Sequence, residues 1–272
     1  MANQRKVPAD ARREWIVKTL RHSDFIRISD ICDEFGVTAM TARNDLQQLE
    51  QSNSLKRVRG GAIPPVGELI PSFSEQLARH SDAKQAIGRM AADTVYDGDS
   101  ILLGGGSTMF EFFRALQGKR QLTVITDSLQ ILDYGAEHYP TFDLICTGGV
   151  LQRRHRQVLG QFLRSSLTDV LVDKCFIGAD ALETSFGFLT PSAGNAEAKV
   201  KFMECSRKKY ILMDSTKVNG EARPFIRFAK LEDIDGLFMD ADVDGIVARA
   251  ASALENPPKL YFADSYAGLA GR

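Results

Sequence analysis

At 272 residues the chain is long enough for two domains and a sizeable core. Its 44% hydrophobic and 25% charged content is that of an ordinary globular protein, and apolar runs such as Ile101–Leu103 and Leu122–Ile125 are far too short to span a bilayer. The net charge of −1 hides an asymmetry: Met1–Gly61 carries 11 Lys+Arg against 8 Asp+Glu and the remainder 23 against 27, so a head of +3 suited to a polyanion precedes a body of −4.

The opening MANQRKVPADARREW has basic residues but no apolar stretch behind them, so it does not read as a secretory signal. Cys32, Cys146, Cys175 and Cys205 lie far apart with no CxxC pair, and His22, His80, His138 and His155 show no metal spacing. These features predict a reduced, cytoplasmic protein with no metal and no cofactor.

Three helical patterns follow in quick succession. Asp10–His22 carries Trp15, Ile16, Val17 and Leu20 at helical spacing. RISDICDEFG offers Ser29 as an N-cap, Ile31, Cys32 and Phe35 as a buried stripe and Gly36 as a stop. After only Gly36 and Val37, VTAMTARNDLQQLEQS starts a third helix with Thr38 as its N-cap, a tight turn of the helix-turn-helix kind. At 100° per residue, Ala39, Ala42, Leu46 and Leu49 share the packed face. Met40, Asn44, Gln47 and Gln51 occupy the opposite one, flanked by Thr41, Arg43 and Gln48. Amides on such a face can pair with adenine edges in a major groove, and Arg43 can reach guanine or phosphate, although a solvated polar face has the same composition. The next segment favours DNA. LKRVRGGAIPP places Lys56, Arg57 and Arg59 in a short hairpin wing, the position from which cations contact phosphates beside a recognition helix.

VTAMTARNDLQQLE followed by KRVRGGA resembles the N-terminal signature of the DeoR family of bacterial regulators, through Thr41, Arg43, Asp45, Leu46 and Glu50. It departs at Ala42, where the family has a larger apolar residue, and at Asn44, where it has a second arginine. The resemblance implies a winged helix-turn-helix that binds double-stranded operator DNA.

AIPPVGELIPSF, Ala62 to Phe73, holds three prolines and a glycine and reads as a domain boundary. Beyond it helices and strands alternate. Helix Ala83–Val95 precedes strand Ser100–Leu103, helix Thr108–Leu116 and strand LTVIT, then helix Leu129–Glu137 and strand FDLICT. Strands KCFIG and KYILM follow, with a helix around Glu197–Ser206 between them. This order predicts an α/β body with a mostly parallel sheet covered on both faces and ligands at the carboxyl ends of its strands. The expected division is a DNA-binding head at 1–61, a linker at 62–80, a sensor body at 81–255 and a loosely held tail at 256–272.

Gly104, Gly105 and Gly106 with Ser107 and Thr108 form a strand-to-helix loop that fits neither the dinucleotide fingerprint nor a P-loop, since Met109 stands at the sixth position and no lysine follows. The loop either converges backbone N–H groups and hydroxyls on a phosphate, aided by the helix dipole, or simply turns the chain. Four further strand ends carry small polar residues: Thr126, Asp127 and Ser128; Thr147, Gly148 and Gly149; Gly178 to Asp180; and Asp214, Ser215 and Lys217. Their recurrence favours a common pocket, with Arg153 as a candidate phosphate partner and Lys199 as a candidate ligand contact from its helix.

ILLGGGST, LTVITDS, TGGVLQRR, VDKCFIGAD, GFLTPSAGNAEAKVK and ILMDSTKV resemble the C-terminal sensor domain of the DeoR family. That domain is related in fold to ribose-5-phosphate isomerase and the coenzyme A transferases, and the resemblance implies a phosphorylated sugar as effector. The family commonly has Asp at the position of Gly104 and Asn at that of Asp127. The rival reading is an isomerase with an accessory head, in which Asp180 is the base and Lys199 or Lys217 the cation. The isomerase's lysine segment after its aspartate is replaced here by LETSFGFLTPSAGN, which favours a sensor. A purely structural oligomerisation domain is the third reading. The expected protein is a homo-oligomeric, dimeric or tetrameric, DNA-binding regulator, a repressor of carbohydrate genes relieved by a sugar phosphate.

Overall fold

A computed structural model describes residues 7–20, 25–52, 54–63, 73–153, 155–220 and 224–266. The chain divides into unit 1, Met1–Pro71, and unit 2, Ser72–Arg272.

Unit 1 contains α1 (Ala9–Leu20), β1 (Ile26–Arg27), α2 (Ile28–Phe35), α3 (Ala39–Gln51), β2 (Lys56–Val58) and β3 (Gly61–Ile63). The three strands form one antiparallel sheet in the order β1-β3-β2. Gly36 ends α2 in the left-handed region and Thr38 caps α3, its hydroxyl accepting from the Thr41 N–H at 3.3 Å. Ile16, Leu20, Ile31, Ala42, Leu46 and Leu49 close the core, and Trp15 meets Phe35 edge-on at 5.1 Å. Two expectations fail locally. Ser29 lies inside α2, whose cap is Arg27 with Asp30 accepting from its backbone N–H. Ala39 is exposed because the face turns toward α1 and buries Asp45 in its place. Residues 21–24, with the end of the expected first helix and His22, lie outside the described residues.

Unit 2 opens with α4 (Phe73–Ala78), α5 (Ser81–Ala92), β4 (Ser100–Leu103), α6 (Ser107–Arg114), β5 (Thr123–Thr126), α7 (Leu129–His138) and β6 (Asp143–Cys146). A hairpin of β7 (Val150–Gln152) and β8 (Gln157–Leu159) leads to α8 (Gln161–Ser166), β9 (Val172–Gly178), β10 (Ala181–Glu183) and β11 (Gly187–Thr190). The chain continues through α9 (Ala193–Glu204), β12 (Ser206–Leu212), β13 (Ile226–Ala229), β14 (Gly236–Met239), α10 (Ile246–Ser252), β15 (Lys259–Phe262) and α11 (Ala263–Tyr266).

Seven strands pair in parallel in the order β15-β14-β12-β9-β4-β5-β6. Side chains alternate between its two faces, as a sheet covered on both sides requires. Ile101, Leu103, Val124, Phe176, Leu212 and Phe238 join one apolar layer with α5 and α6, whereas Leu102, Ile125, Cys175, Ile177, Ile211 and Leu237 join the other with α9 and β11. The strand order reverses between β4 and β9, so the carboxyl ends of these strands leave a crevice at the switch point. Among the described residues no helix is long and apolar enough to cross a membrane.

Both borders of the expected linker are regular structure. β3 runs on to Ile63 and α4 starts at Phe73, while 64–72 lie outside the described residues. Part of the expected tail is regular structure as well, while 267–272 lie outside the described residues. β15 adds to the sheet edge beside β14, with Tyr261 stacked on Phe238 at 4.2 Å, so Lys259–Phe262 belong to the core sheet.

Where α5 crosses α6, a Cβ on Gly88 would stand 2.8 Å from the Phe112 backbone nitrogen and 2.9 Å from the Glu111 carbonyl carbon. Backbone cannot yield as a side chain can. Gly88→Ala gains at most about 1 kcal/mol of helix propensity and loses about 1–3 kcal/mol to overpacking. The expected result is a lower urea midpoint for unit 2; a raised midpoint would show that the helices separate freely.

Candidate functional site

In unit 1, Met40, Arg43, Asn44, Gln47 and Gln48 all point to solvent from α3, with Met40 64% exposed. Thr38 and Thr41 stand at the start of this face with their hydroxyls 3.1 Å apart, both committed to the cap. The face is held in place from behind. The Asp45 carboxylate, 2% exposed, accepts from Arg12 Nε and Nη2 at 2.9 and 2.7 Å and from Arg13 Nε at 3.1 Å, tying α3 to α1. This clamp orients the exposed amides without touching them.

Lys56 and Arg59 project from the wing as exposed cations. Arg57 is different. Its backbone N–H and Nε both donate to Glu50, at 2.9 and 2.8 Å, joining the wing to the end of α3. The backbone N–H bond from Arg57, with its guanidinium beside it, holds the Glu50 carboxyl below its ordinary range.

Unit 2 carries an open cleft of ≈ 270 Å³. Arg79, from the turn before α5, and Lys84 supply cations on one side, with the His80 imidazole between them in the chain. Asp180, after β9, and Asp214, Thr216 and Lys217, after β12, line the other, with Ser107 at the start of α6. His80 sits at φ 51, a left-handed conformation uncommon for a residue other than glycine. Lys84 is buried and donates to the carbonyls of Gln76 and Arg79, anchoring the end of α4; burial lowers its pKa while the Asp214 carboxylate opposes. Lys217 donates to the Ala179 carbonyl at 2.9 Å and stands 3.8 Å from Asp214. Burial works against ionisation of Asp214, but Lys217 and the Thr216 hydroxyl outweigh it and hold the carboxyl below its ordinary value. Asp180 receives a bond from Lys199 at 3.3 Å. Its side chain is 48% exposed, and the partial desolvation it suffers is outweighed by Lys199 and then Lys217, which hold the carboxyl low.

Behind the glycine loop lies a void of only ≈ 10 Å³, bordered by Gly104, Gly105, Asp127, Gln157 and Lys199. Asp127 is 2% exposed; burial pushes its carboxyl up to about 7, against the pull of the Gln157 amide and the Gly105 N–H. Gly106, at φ 123, turns the chain into α6, and Thr108 is buried within it.

The five strand ends therefore do not all face one pocket. Thr126 and Ser128 are buried and structural: the Thr126 hydroxyl accepts from the Ser128 N–H at 3.1 Å, and Ser128 caps α7. Gly148 and Gly149 turn β6 into the β7–β8 hairpin and line neither space. Ser215 is turned toward Asp240, its N–H and hydroxyl donating at 2.6 and 3.1 Å. Arg153 is exposed at the hairpin turn and lines neither space. Sequence reasoning missed Arg79 and Lys84, a legible cation pair in RHSDAK with His80 between them, and it missed Gln157, which no local pattern singles out.

What the cleft can do follows from its charges. Arg79, Lys84 and Lys217 suit an anionic group, while Asp180 and Asp214 are acceptors for hydroxyls. A molecule carrying both fits best.

The DeoR-like helix-turn-helix domain matches residues 12–65 and the DeoR C-terminal sensor domain matches residues 79–241. The HTH-type transcriptional repressor GlcR of Bacillus subtilis is 31% identical over 226 residues, covering 83% of this chain and 86% of that protein. The uncharacterized HTH-type transcriptional regulator YgbI of Escherichia coli is 30% identical over 245 residues, 89% and 93% of the two. A ribose 5-phosphate isomerase structure from Methanocaldococcus jannaschii aligns over 51% of this chain and 54% of its own with a TM-score of 0.37 at 20% identity.

Proposed function

The chain belongs to the DeoR family of helix-turn-helix transcriptional regulators, and on that premise we propose that it represses carbohydrate genes until a phosphorylated sugar binds unit 2. One observation carries the effector: the cleft brings Arg79, Lys84 and Lys217 together with Asp180 and Asp214, anion partners and hydroxyl partners in one space. The repressor sense is supported by GlcR, whose name describes a repressor. Regulation then follows from linkage, with effector and operator preferring different arrangements of paired heads. The protein acts as a homo-oligomer, dimer or tetramer, because linking two heads makes the second DNA contact intramolecular and sets half-sites about 10 bp or its multiples apart.

The test uses operator duplexes selected from a random library by the full chain. Five- and six-carbon sugar monophosphates are titrated into the complex while fluorescence anisotropy is followed. One of them is expected to release the DNA and raise the melting temperature of unit 2; release by none removes the effector reading. Incubation with the same compounds is followed for isomerised product, whose appearance would restore the enzyme alternative.

On the DNA side, Lys56→Ala and Arg59→Ala should each lower the salt slope of binding by about 0.9 on every sequence. Arg57→Ala should lower it less, since Glu50 already offsets that charge. Asn44→Ala should cost about 1–3 kcal/mol on the selected operator and little on random duplex. Equal losses on both would remove Asn44 from base reading.

A further inference from the structure

The inner void is too small for any ligand, and it ends on a carboxylate that is incompletely satisfied. Asp127 Oδ1 is fully buried with no hydrogen-bond partner among the described residues. Its other oxygen, Oδ2, accepts a long bond, 3.3 Å, from Gln157 Nε2, and the Gly105 N–H adds a further pull on the carboxyl. A buried polar atom left unpaired costs stability, so such a group in a folded protein calls for a reason. The space beside it, ≈ 10 Å³, is about that of one water.

What fills the rest is Gln157. Its side chain lies flat against Gly105, so closely that a Cβ there would stand 2.3 Å from Nε2 and 2.5 Å from Cδ and Cγ. The backbone on either side is pinned. Val158 N–H donates to the Asp127 carbonyl at 2.8 Å, and Leu129 N–H donates to the Arg156 carbonyl at 2.9 Å. Gln157 also pairs with Gln152 across the hairpin and bridges to Ser128. The hairpin backbone is therefore fixed, and the half-buried carboxamide is the part free to rotate away.

The void and the open cleft are neighbours. Gly104 and Gly105 border the first and Ser107 the second. Lys199 borders the void while its Nζ holds Asp180, which borders the cleft.

We propose that Gln157 is a displaceable placeholder and that Asp127 behind it selects the ligand: a polyhydroxylated, phosphorylated carbon chain swings the carboxamide off Gly105 and gives a hydroxyl to Asp127 Oδ1. The proposal rests on the reading of the cleft as a sugar-phosphate site. A bare anion held by Arg79, Lys84 and Lys217 gains nothing from Asp127. A hydroxyl at the right reach satisfies an oxygen that the free protein leaves orphaned. Sites built this way reject analogues lacking the hydroxyl far more strongly than a hydrophobic pocket rejects a missing methylene.

The experiment measures binding to the full chain and to Asp127→Ala and Gln157→Ala by calorimetry, with inorganic phosphate and the panel of five- and six-carbon sugar monophosphates as probes. Asp127→Ala is expected to weaken the tightest sugar phosphate at least tenfold and to leave inorganic phosphate within twofold. Gln157→Ala is expected to tighten the same sugar phosphate severalfold, because nothing remains to be displaced. Unchanged sugar-phosphate binding in both variants overturns the proposal and spares the cleft, as does a loss in Asp127→Ala that phosphate shares equally. If Asp127→Ala does not fold, Gln157→Ala decides alone, and unchanged or weaker binding overturns the proposal. A parent chain that binds no probe overturns the reading of the cleft and this proposal with it.

Discussion

Replacing Asp45 with alanine should unfold the DNA-binding unit while leaving unit 2 intact. Asp45 is 2% exposed and holds two arginines, one of them, Arg12, itself only 8% exposed. Removing the carboxylate leaves a buried guanidinium uncompensated, a loss of about 3–5 kcal/mol. A unit of this size has little more than that to lose. The chain carries its own reporters. Trp15 is the single tryptophan and packs on Phe35 in unit 1, whereas all six tyrosines, from Tyr96 onward, lie in unit 2. The expected result is loss of the cooperative transition in tryptophan emission, with the tyrosine transition unchanged and DNA binding abolished. An unaltered tryptophan transition would show that the clamp is dispensable.

Asp127→Asn should stabilise unit 2 above neutral pH and do nothing at pH 4. Burial raises the folded carboxyl from 3.8 to about 7. Below 3.8 the group is neutral in both folded and unfolded chains. As pH rises the unfolded chain releases the proton first, which draws the equilibrium toward unfolding, and the stability is lost progressively until the folded carboxyl ionises near 7. The interval corresponds to about 4 kcal/mol. Asp173, Asp180 and Asp214, all held below their ordinary values, contribute in the opposite sense as pH falls. The quantity to measure is therefore the difference between variant and parent in urea midpoint, read by tyrosine emission between pH 4 and 8. It should open in the variant's favour over that range. A flat difference would mean that Asp127 is ionised at little cost in the folded state.

These two carboxylates also mark where sequence reasoning stops. The exposed face of α3 was legible because a helix repeats every 100° and its cap, Thr38, stands beside its first turn. Asp45 lies among polar neighbours in the same helix, and its burial is decided by arginines 32 and 33 residues earlier. In unit 2 the parallel sheet and the polar strand ends could be read, since short continuous apolar runs alternate with helices. Which strand ends share a space could not, because hydroxyls such as Ser128 serve equally well as caps. The short β7–β8 hairpin has too few residues to show a period, so Gln157 went unseen. β15 follows Pro257 and Pro258, which signal a break, and only its long-range register with β14 makes it a strand.

The order of the sheet also sets a timetable. The chain lays down β4, β5 and β6 outward to one edge, then returns to build β9, β12, β14 and β15 on the other side of β4. The strands of the head are complete at Ile63, but the cleft draws on residues from Gln76 to Gly220. During synthesis at roughly 5–20 residues per second, with domains folding from the N-terminus, about 10–30 s separate a nascent head able to fold from a body able to sense. For that interval each new molecule carries a helix-turn-helix head whose sensor domain is not yet complete.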